Sequence, residues 1–433
     1  MEARTALPPT PRMPRLVQTA IWSRQAQWML TQCRSRLGPM FRLKIAYEGT
    51  WVVISDPEQV KQVFTGDPKV FHAGEGNDIL RPLLGENSLL VLDEAPHMSQ
   101  RKLLLPPFHG RRMAGYEGTM RTIAAREIDS WPNGKPYQLR PRMQAMTLEI
   151  IIETVFGVHG GARLDELRAA LRSFLDLLTD PKALLPVLMV GPDRIRRIPS
   201  FRRRIDRVAE LIVKEIRERR DAPDLEERDD ILSLMVAARH EDGSPMSDAE
   251  IHDELLTLLV AGHETTATAL AWAVERLIRH PDKMERLRAE VEVGEDAYLT
   301  ATIQETLRLR PVVVAVLRKL TEPVELGGYE LPAGLTVVPS IHLIHRDPTI
   351  YPEPESFRPE RFLETPPGTY TWIPFGGGVR RCLGAAFAQQ EMAIVLRELV
   401  SRRTIRPANP AAERSFRRAI TETPRHNAEV VLS

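Results

Sequence analysis

Apolar residues recur along most of this chain at intervals of three and four, which is the spacing of one face of an α-helix. This pattern predicts helices over residues 94–105, 111–130, 141–156, 164–178, 200–220, 231–239, 281–292, 298–309 and 383–401. The longest helical run begins at a cap formed by Ser247 and Asp248 and ends near Arg279. At 1.5 Å per residue this helix would be roughly 45 Å long, enough to cross a whole domain.

A period of two, typical of strands, appears in few places. Apolar and polar residues alternate over 41–55 on both sides of a short turn, which predicts two paired strands. A short helix is predicted to follow, capped by Asp56 and with Pro57 at its first position. Short strands and turns are predicted between 312 and 345. The pattern therefore predicts a mainly α protein with a small β region, organised as one domain over 40–433 after a partly irregular N-terminal extension over 1–39.

Composition narrows the range of functions only slightly. The formal net charge is +1, so the chain as a whole has no attraction for nucleic acid or a membrane. The two cysteines, Cys33 and Cys382, lie far apart, which argues against a disulfide framework and for a reducing compartment. Residues 1–20 lack the apolar core of a signal peptide, and no apolar stretch has the length of a spanning helix. We expect a soluble, cytoplasmic protein without a transmembrane anchor.

Positive charge is concentrated in one segment, residues 194–220, which is rich in arginine and contains few acids. A solvated helix face is the simplest interpretation. An acidic partner or a membrane surface is the alternative.

One cysteine stands in a conspicuous setting, the glycine-rich stretch 374–384 that precedes the last predicted helix. A helix N-terminus lowers the pKa of a thiol and favours the thiolate, which is the form that binds metal. Glycines 376–378 allow the main chain to turn tightly beneath the sulphur, and Arg380 offers a guanidinium group for carboxylates. The alternative is a buried cysteine in an ordinary strand-to-helix turn.

The local spacing favours the metal-binding interpretation. The pattern Phe-x-x-Gly-x-Arg-x-Cys-x-Gly is formed by Phe375, Gly378, Arg380, Cys382 and Gly384. In this the sequence resembles the cytochromes P-450, the cysteine-ligated haem monooxygenases, and the resemblance extends over roughly 40–425. It implies their fold, with a long central helix over the haem, and haem b (iron protoporphyrin IX) with Cys382 as its axial thiolate ligand. It also implies that Arg380 pairs with a haem propionate and that Phe375 shields the sulphur.

A second motif, Ala-Gly-His-Glu-Thr-Thr at 261–266, lies within the longest predicted helix and places a glycine, a weak point for a helix, beside a carboxylate and two hydroxyls. Ala261, Thr265 and Thr268 share one face, where a flat ligand and a diatomic molecule could approach. The hydroxyls could instead bond back to helix carbonyls in a simple kink. The resemblance implies that Glu264 and Thr265 are catalytic and relay protons to the oxygen that is activated.

Three further residues match a structural element of the resembled family. Glu305 and Arg308 lie three apart on one predicted helix, which is also a common surface arrangement. The resemblance implies that they join Arg361 in a buried triad, and we treat the three as structural. The short connection at 292–299 departs from many relatives, which carry a longer insertion there.

The remaining cofactor-binding candidates are His97, Arg101 and Arg318, which match positions that bind haem propionates in the resembled family. Each taken alone is typical of a surface charge. A buried haem requires cationic partners for its two propionates, so together with Arg380 the four residues indicate propionate binding.

The implied function is a monooxygenase that inserts one atom of O₂ into a small molecule. No reductase-like segment follows the core, so we expect electrons from a separate ferredoxin or flavodoxin with its reductase. An acidic ferredoxin would be attracted by Lys102, Arg111, Arg112 and Arg381, although ordinary solubility explains these charges equally well. The alternatives are a haem-binding sensor or carrier without turnover, and a peroxide-driven enzyme on the same fold.

The substrate is expected to be lipophilic, because segments that should line the pocket in this fold are largely apolar. These residues are Ile79, Leu80, Leu83, Leu84, Leu89, Leu90, Leu175, Leu178, Leu258, Val312, Val313, Val314 and Val316. Some of them must belong to the core instead. With few polar groups to anchor a ligand, burial of apolar area would supply most of the affinity.

Overall fold

The fold is taken from a computed structural model, which describes residues 7–158, 161–179 and 197–433. The described α-helices are α1 (Arg15–Leu37), α2 (Pro57–Thr65), α3 (Arg81–Leu84), α4 (Glu94–Leu104), α5 (Arg111–Asp129), α6 (Leu139–Phe156), α7 (Gly161–Thr179), α8 (Pro199–Arg220), α9 (Ile231–Ala237), α10 (Asp248–Ile278), α11 (Pro281–Glu292), α12 (Ala297–Leu309), α13 (Ile341–Ile344), α14 (Arg361–Glu364) and α15 (Ala385–Arg402). Of these, α3, α13 and α14 are single turns of four residues. The strands are β1 (Met40–Ile45), β2 (Gly49–Ile54), β3 (Phe71–His72), β4 (Tyr137–Gln138), β5 (Arg318–Leu320), β6 (Val324–Leu326), β7 (Tyr329–Leu331), β8 (Thr336–Pro339), β9 (Ile405–Pro407), β10 (Ser415–Arg418), β11 (Thr421–Pro424) and β12 (Glu429–Leu432).

Contacts divide the chain into two compact units, each assembled from three stretches. The first unit comprises Met1–Asp78, Thr300–Cys382 and Arg414–Thr423. The second comprises Ile79–Leu299, Leu383–Glu413 and Pro424–Ser433.

The first unit is built on a five-stranded sheet with the strand order β1-β2-β8-β5-β3. Strand β2 is antiparallel to β1 and parallel to β8. Because side chains alternate along a strand, Trp51 and Val53 pack with α1 on one face, while Val52 and Ile54 pack with α2 residues on the other. Ile373, the first residue of the loop that contains Cys382, belongs to the second of these clusters. The sheet is therefore buried on both faces, and one face supports the loop.

The second unit is mainly helical. Helix α10 packs against α6, α8 and α15, and α5 packs against both α6 and α15. The start of α10 is fixed by a capping box, in which Ser247 accepts from the Glu250 N–H and the Glu250 carboxylate accepts from the Ser247 N–H. Strands β4, β12 and β9 form a small separate sheet in this unit.

The predicted helices of the described chain are confirmed, with ends that agree to within about three residues. Helix α1 was not predicted. It packs against β1, so the proposed boundary between 1–39 and 40–433 falls between two elements in contact. Both cysteines are free, and Cys33 lies on the buried face of α1, in the core of the first unit.

None of the helices that the structure describes is both long enough and apolar enough to cross a membrane.

Candidate active site

The cysteine loop, residues 373–382, is closed by hydrogen bonds within its own main chain. The Gly376 N–H donates to the Ile373 carbonyl (3.0 Å), and the Cys382 N–H donates to the Phe375 carbonyl (2.9 Å). Gly376 and Gly378 adopt φ values of +67° and +65°, a left-handed region that disfavours other residues. The loop ends with Cys382 exposed, three residues before α15 begins.

Two glycines of this loop are required by a close approach that the sequence does not reveal. A Cβ atom added to Gly377 would lie 2.2 Å from the ring of Phe64, at the end of α2. A Cβ atom on Gly378 would lie 2.0 Å from the main-chain oxygen of Phe64. The loop is thus pressed against α2, and only glycine permits the contact at either position.

The four propionate candidates are divided between the two units. Arg318, on β5, is buried, donates to the Leu317 carbonyl (2.8 Å) and lies with its guanidinium carbon 5.7 Å from the centre of the Phe64 ring. Because Phe64 also contacts the loop glycines, the structure brings Arg318 beside the cysteine loop, where Arg380 stands two residues before Cys382. In the second unit, His97 and Arg101 lie one turn apart on α4, and His97 is buried.

The middle of α10 carries a partly accessible stripe, which lies before a fully buried C-terminal half of the helix. Leu258, Ala261, Gly262 and Thr265 form this stripe at helical spacing. Thr268 is completely buried, so its predicted place on the accessible face is wrong; it lies further along α10, where the helix is covered on all sides.

The predicted weak point does not interrupt α10, which is continuous from Asp248 to Ile278. At Gly262, an added Cβ atom would lie 2.7 Å from the Cδ1 atom of Ile151, so the glycine allows α6 to approach closely. The Thr265 hydroxyl donates to the Ala261 carbonyl (2.6 Å), which is the back-bonded arrangement considered as the alternative.

Glu264 points into a polar cluster that the sequence analysis missed. Its carboxylate is ion-paired with Arg140 and accepts from the Gln144 amide (2.7 Å) and the Thr268 hydroxyl (3.2 Å). The neighbouring His263 donates from Nε2 to the Gln144 carbonyl (3.1 Å), and burial lowers its pKa to about 4. The predicted acid is therefore fixed by partners on α6, a hundred residues and more away in sequence, which no local motif could reveal.

The expected triad is present in the first unit. Arg308 donates to both carboxylate oxygens of Glu305 (2.7 and 2.9 Å), and Arg361 Nε lies 3.1 and 3.2 Å from the same oxygens. All three residues are buried, and Glu305 also accepts from the Arg358 N–H (2.8 Å). These residues connect α12 to the coil that leads toward the cysteine loop.

The basic segment is described from residue 197 onward. Arg219 is buried and ion-paired with Asp230, and Arg220 pairs with Asp248 (2.8 Å). Arg207 pairs with Glu166. Several of these arginines therefore pair within the protein, and Arg219 is part of the core and not of a solvated face.

Near its N-terminal end, α10 holds a loop that follows α3. Asp253 accepts from the main-chain and side-chain N–H groups of Asn87 (3.0 and 2.9 Å), and an added Cβ on Gly85 would lie 2.1 Å from Asp253 Oδ1.

Glu254, the next residue of α10, is completely buried beside the same loop. A hydrogen bond from the Leu89 main chain favours its charged form, but burial opposes that form more strongly. Burial therefore raises the pKa of Glu254 to about 8.

We expect Glu254→Gln to stabilise the protein near pH 8 but not near pH 5. The folded-state pKa lies above the ordinary value of 4.5, so the unfolded chain loses this proton first, and the free energy of unfolding falls as pH rises from about 4.5 to about 8. Glutamine removes this decline. At about 1.4 kcal/mol per pKa unit, the gain at pH 8 is at most a few kcal/mol. Urea unfolding across this pH range measures it, with exposed Glu322→Gln as the control; a gain that does not change with pH would contradict the prediction.

Comparison with known proteins agrees with the loop and helix geometry. The sequence profile of the family described as Cytochrome P450 matches residues 7–419. Cytochrome P450 135B1 of Mycobacterium tuberculosis is 43% identical over 432 residues, covering 98% of this chain and 91% of the relative. Cytochrome P450 138 of the same organism is 39% identical over 430 residues, covering 98% and 96%.

A solved structure matches as well. The retinoic acid-bound cyanobacterial CYP120A1 is 26% identical and superimposes with a TM-score of 0.86, over 99% of this chain and 100% of that one. The protein is an oxidoreductase of the haem-thiolate monooxygenase class. The chain belongs to the cytochrome P450 family and has its fold, mainly α with small sheets, as the sequence predicted.

Proposed function

We propose that the protein binds haem b through the thiolate of Cys382 and inserts one atom of O₂ into a lipophilic small molecule, while the second oxygen atom, two electrons and two protons form water. The observation that carries this proposal is the cysteine loop: a single exposed thiol at the end of a glycine turn, fixed by its own main-chain bond to Phe375. Haem held by a thiolate supplies the redox chemistry that activates O₂. The donor set of the loop fits such a group, since one thiolate and nearby guanidinium groups are what it requires.

The propionates of the haem would be bound by the four cationic candidates. Arg318 and Arg380 belong to the same unit as Cys382, and both are associated with the loop or with Phe64 beneath it. His97 and Arg101 would act from α4. Charge-assisted hydrogen bonds of this kind compensate for burying a carboxylate.

Proton delivery would depend on Thr265 and Glu264. In the observed rotamer Thr265 donates its own proton to Ala261, so its oxygen is left to accept, and it is suited to hold a proton-donating water on the accessible stripe. Glu264 would supply protons only after its carboxylate leaves Arg140. Thr265 would therefore act directly in proton delivery. Glu264 would be a proton source further from the accessible stripe.

A lipophilic substrate is supported by the apolar lining candidates. Leu258 stands on the accessible stripe, whereas Val314 and Val316 pack into or against the core clusters of the first unit and are less suited to contact a ligand. The side chain of Leu178 lies outside the described residues. The cyanobacterial structure named above is described with retinoic acid, a largely apolar molecule, which is consistent with a substrate held mainly by burial.

Electrons would come from a separate ferredoxin or flavodoxin with its reductase. Two of the basic residues expected to attract such a partner are paired within the protein, Lys102 with Glu241 (2.7 Å) and Arg112 with Asp229. The side chain of Arg111 lies outside the described residues. The positive charge offered to an acidic partner is thus smaller than the sequence suggests, and Arg381, on the cysteine loop, remains a candidate contact.

The proposal is tested by NADPH consumption with a surrogate redox pair and a compound library of alkyl-chain, terpenoid and small polar molecules, with products analysed by mass. We expect oxygenated products from the lipophilic compounds. Thr265→Ala should consume NADPH but release most of the electrons as hydrogen peroxide, with coupling to product at least about tenfold lower. Thr265→Ser, which keeps the hydroxyl, is the matched control and should couple nearly as well as the parent.

Three outcomes would contradict parts of this proposal. A parent protein that binds haem and ligands but forms no product would favour a sensor or carrier. Product formed with hydrogen peroxide but not with NADPH would favour a peroxide-driven enzyme. Equal coupling in Thr265→Ala and the parent would exclude Thr265 from proton delivery.

A further inference from the structure

The residues that lead into the cysteine loop are held by side chains of the first unit. The Tyr351 hydroxyl donates to the Thr371 carbonyl (3.0 Å), and the Trp372 indole N–H donates to the Gln304 carbonyl (3.1 Å). These two bonds attach the entering chain to α12 and to the coil after α13. Neither reaches the loop itself.

The next residue, Ile373, is bonded on both sides of its main chain. Its carbonyl accepts from the Gly376 N–H (3.0 Å), which forms the first turn of the loop. Its N–H donates to Nε2 of His345 (2.9 Å). Because Pro374 has no N–H, the Ile373 N–H is the last main-chain donor before that turn. His345 therefore holds the loop at its point of entry.

The other side of the His345 ring faces the triad. Its Nδ1–H donates to the Arg308 carbonyl (3.2 Å), and the Arg308 guanidinium donates to the His345 carbonyl (2.7 Å) while pairing with Glu305. His345 is completely buried, and burial together with the charges of Arg308 and Arg346 lowers its pKa to about 3. The ring is neutral, with a proton on Nδ1 and an acceptor at Nε2, as both hydrogen bonds require.

We propose that His345 is a positioning residue for Cys382, which fixes the Ile373 main chain relative to the Glu305–Arg308 pair and so sets the place from which the loop presents its thiolate. This inference rests on the proposed function in one respect, that Cys382 is the haem ligand. Without the Nε2 acceptor, the buried Ile373 N–H loses its partner, and the main chain at the loop entry is favoured to move toward another. The effect should appear in the ligand itself, because residues that orient a metal ligand influence how it binds.

Three variants test the hydrogen bonds of the two ring nitrogens separately. In His345→Gln the side-chain oxygen replaces Nε2 and can accept from Ile373, whereas in His345→Asn the amide nitrogen replaces Nδ1 and can donate to Arg308. His345→Phe removes both bonds and keeps a ring of similar shape. The measurements are the red-shifted fraction of the Soret absorption in the reduced carbon-monoxide complex, per bound haem, and the reduction potential. We expect His345→Gln to resemble the parent, and His345→Asn and His345→Phe to lose about half or more of the red-shifted fraction.

The control is Tyr351→Phe, which removes the bond to Thr371 but keeps the ring. We expect it to lower thermal stability without changing the red-shifted fraction. Equal fractions in His345→Gln and His345→Asn would overturn the inference, as would failure of both variants to bind haem, since His345 would then serve the fold as a whole. If the parent itself lacks the red-shifted band, the proposed function fails instead, and the two failures are distinguishable.

Discussion

Replacing Cys382 with histidine is expected to abolish the red-shifted Soret band of the reduced carbon-monoxide complex, even if haem is still bound. The band depends on a thiolate ligand, and an imidazole at the same position donates less electron density. The thiol is exposed at the end of a loop fixed by its own main chain, so the substitution should leave the loop in place. Absorption spectra of the reduced protein with and without carbon monoxide provide the measurement.

The second cysteine offers a matched control for this experiment. Cys33 lies on the buried face of α1, and Cys33→Ala should keep the red-shifted band while lowering stability by about 1 kcal/mol. A spectrum of Cys382→His that matches the parent would remove Cys382 as the ligand, and with it the proposed function.

Glu305→Gln is expected to lower the free energy of unfolding by about 3 to 5 kcal/mol, because it leaves two buried guanidinium groups without their carboxylate. Arg308 and Arg361 both pair with Glu305 and are themselves buried. Holoprotein yield should fall together with stability, since the same residues adjoin the segment that leads to the loop. Urea unfolding monitored by circular dichroism gives the change.

An exposed pair serves for comparison. Glu117 and Arg121 form an ion pair one turn apart on α5, with about half of each side chain exposed. Glu117→Gln should cost about 0 to 1 kcal/mol. If Glu305→Gln costs no more than this surface variant, the triad does not have the structural role assigned to it.

Local patterns predicted the helices and strands of the described chain well, because helix periodicity and caps depend only on residues that are close in sequence. Ser247 and Glu250 are an example, since their reciprocal bonds follow from a spacing of three. Helix α1 escaped prediction because its buried face includes Gln18, Ala26 and Cys33, which weaken the apolar period. Its interior also contains a kink at Gln25, with non-helical dihedral angles.

Only those residues of the candidate site that belong to a recognisable sequence motif could be predicted. The cysteine loop and the pair of Glu264 and Thr265 were found in this way. What holds them in place depends on residues far away in sequence. Arg140 is 124 positions from Glu264. The packing of Phe64 on Gly377 joins the first stretch of the first unit to its second stretch. Such contacts leave no local signal, so neither the orientation of Glu264 nor the link through His345 could be inferred from spacing.

The assembly of the first unit from three distant stretches bears on how the protein is made. A ribosome releases the chain from its N-terminus, so β1 and β2 emerge long before β8, which pairs with β2, and before the cysteine loop, which packs on α2. The unit cannot be completed until residue 423 has been synthesised. During that interval Val52 and Ile54 of β2 lack the later-synthesised members of their cluster, among them Val337 on β8. If Cys382 binds haem as proposed, the loop would do so late in biosynthesis, after a period in which the unpaired strands are exposed to aggregation.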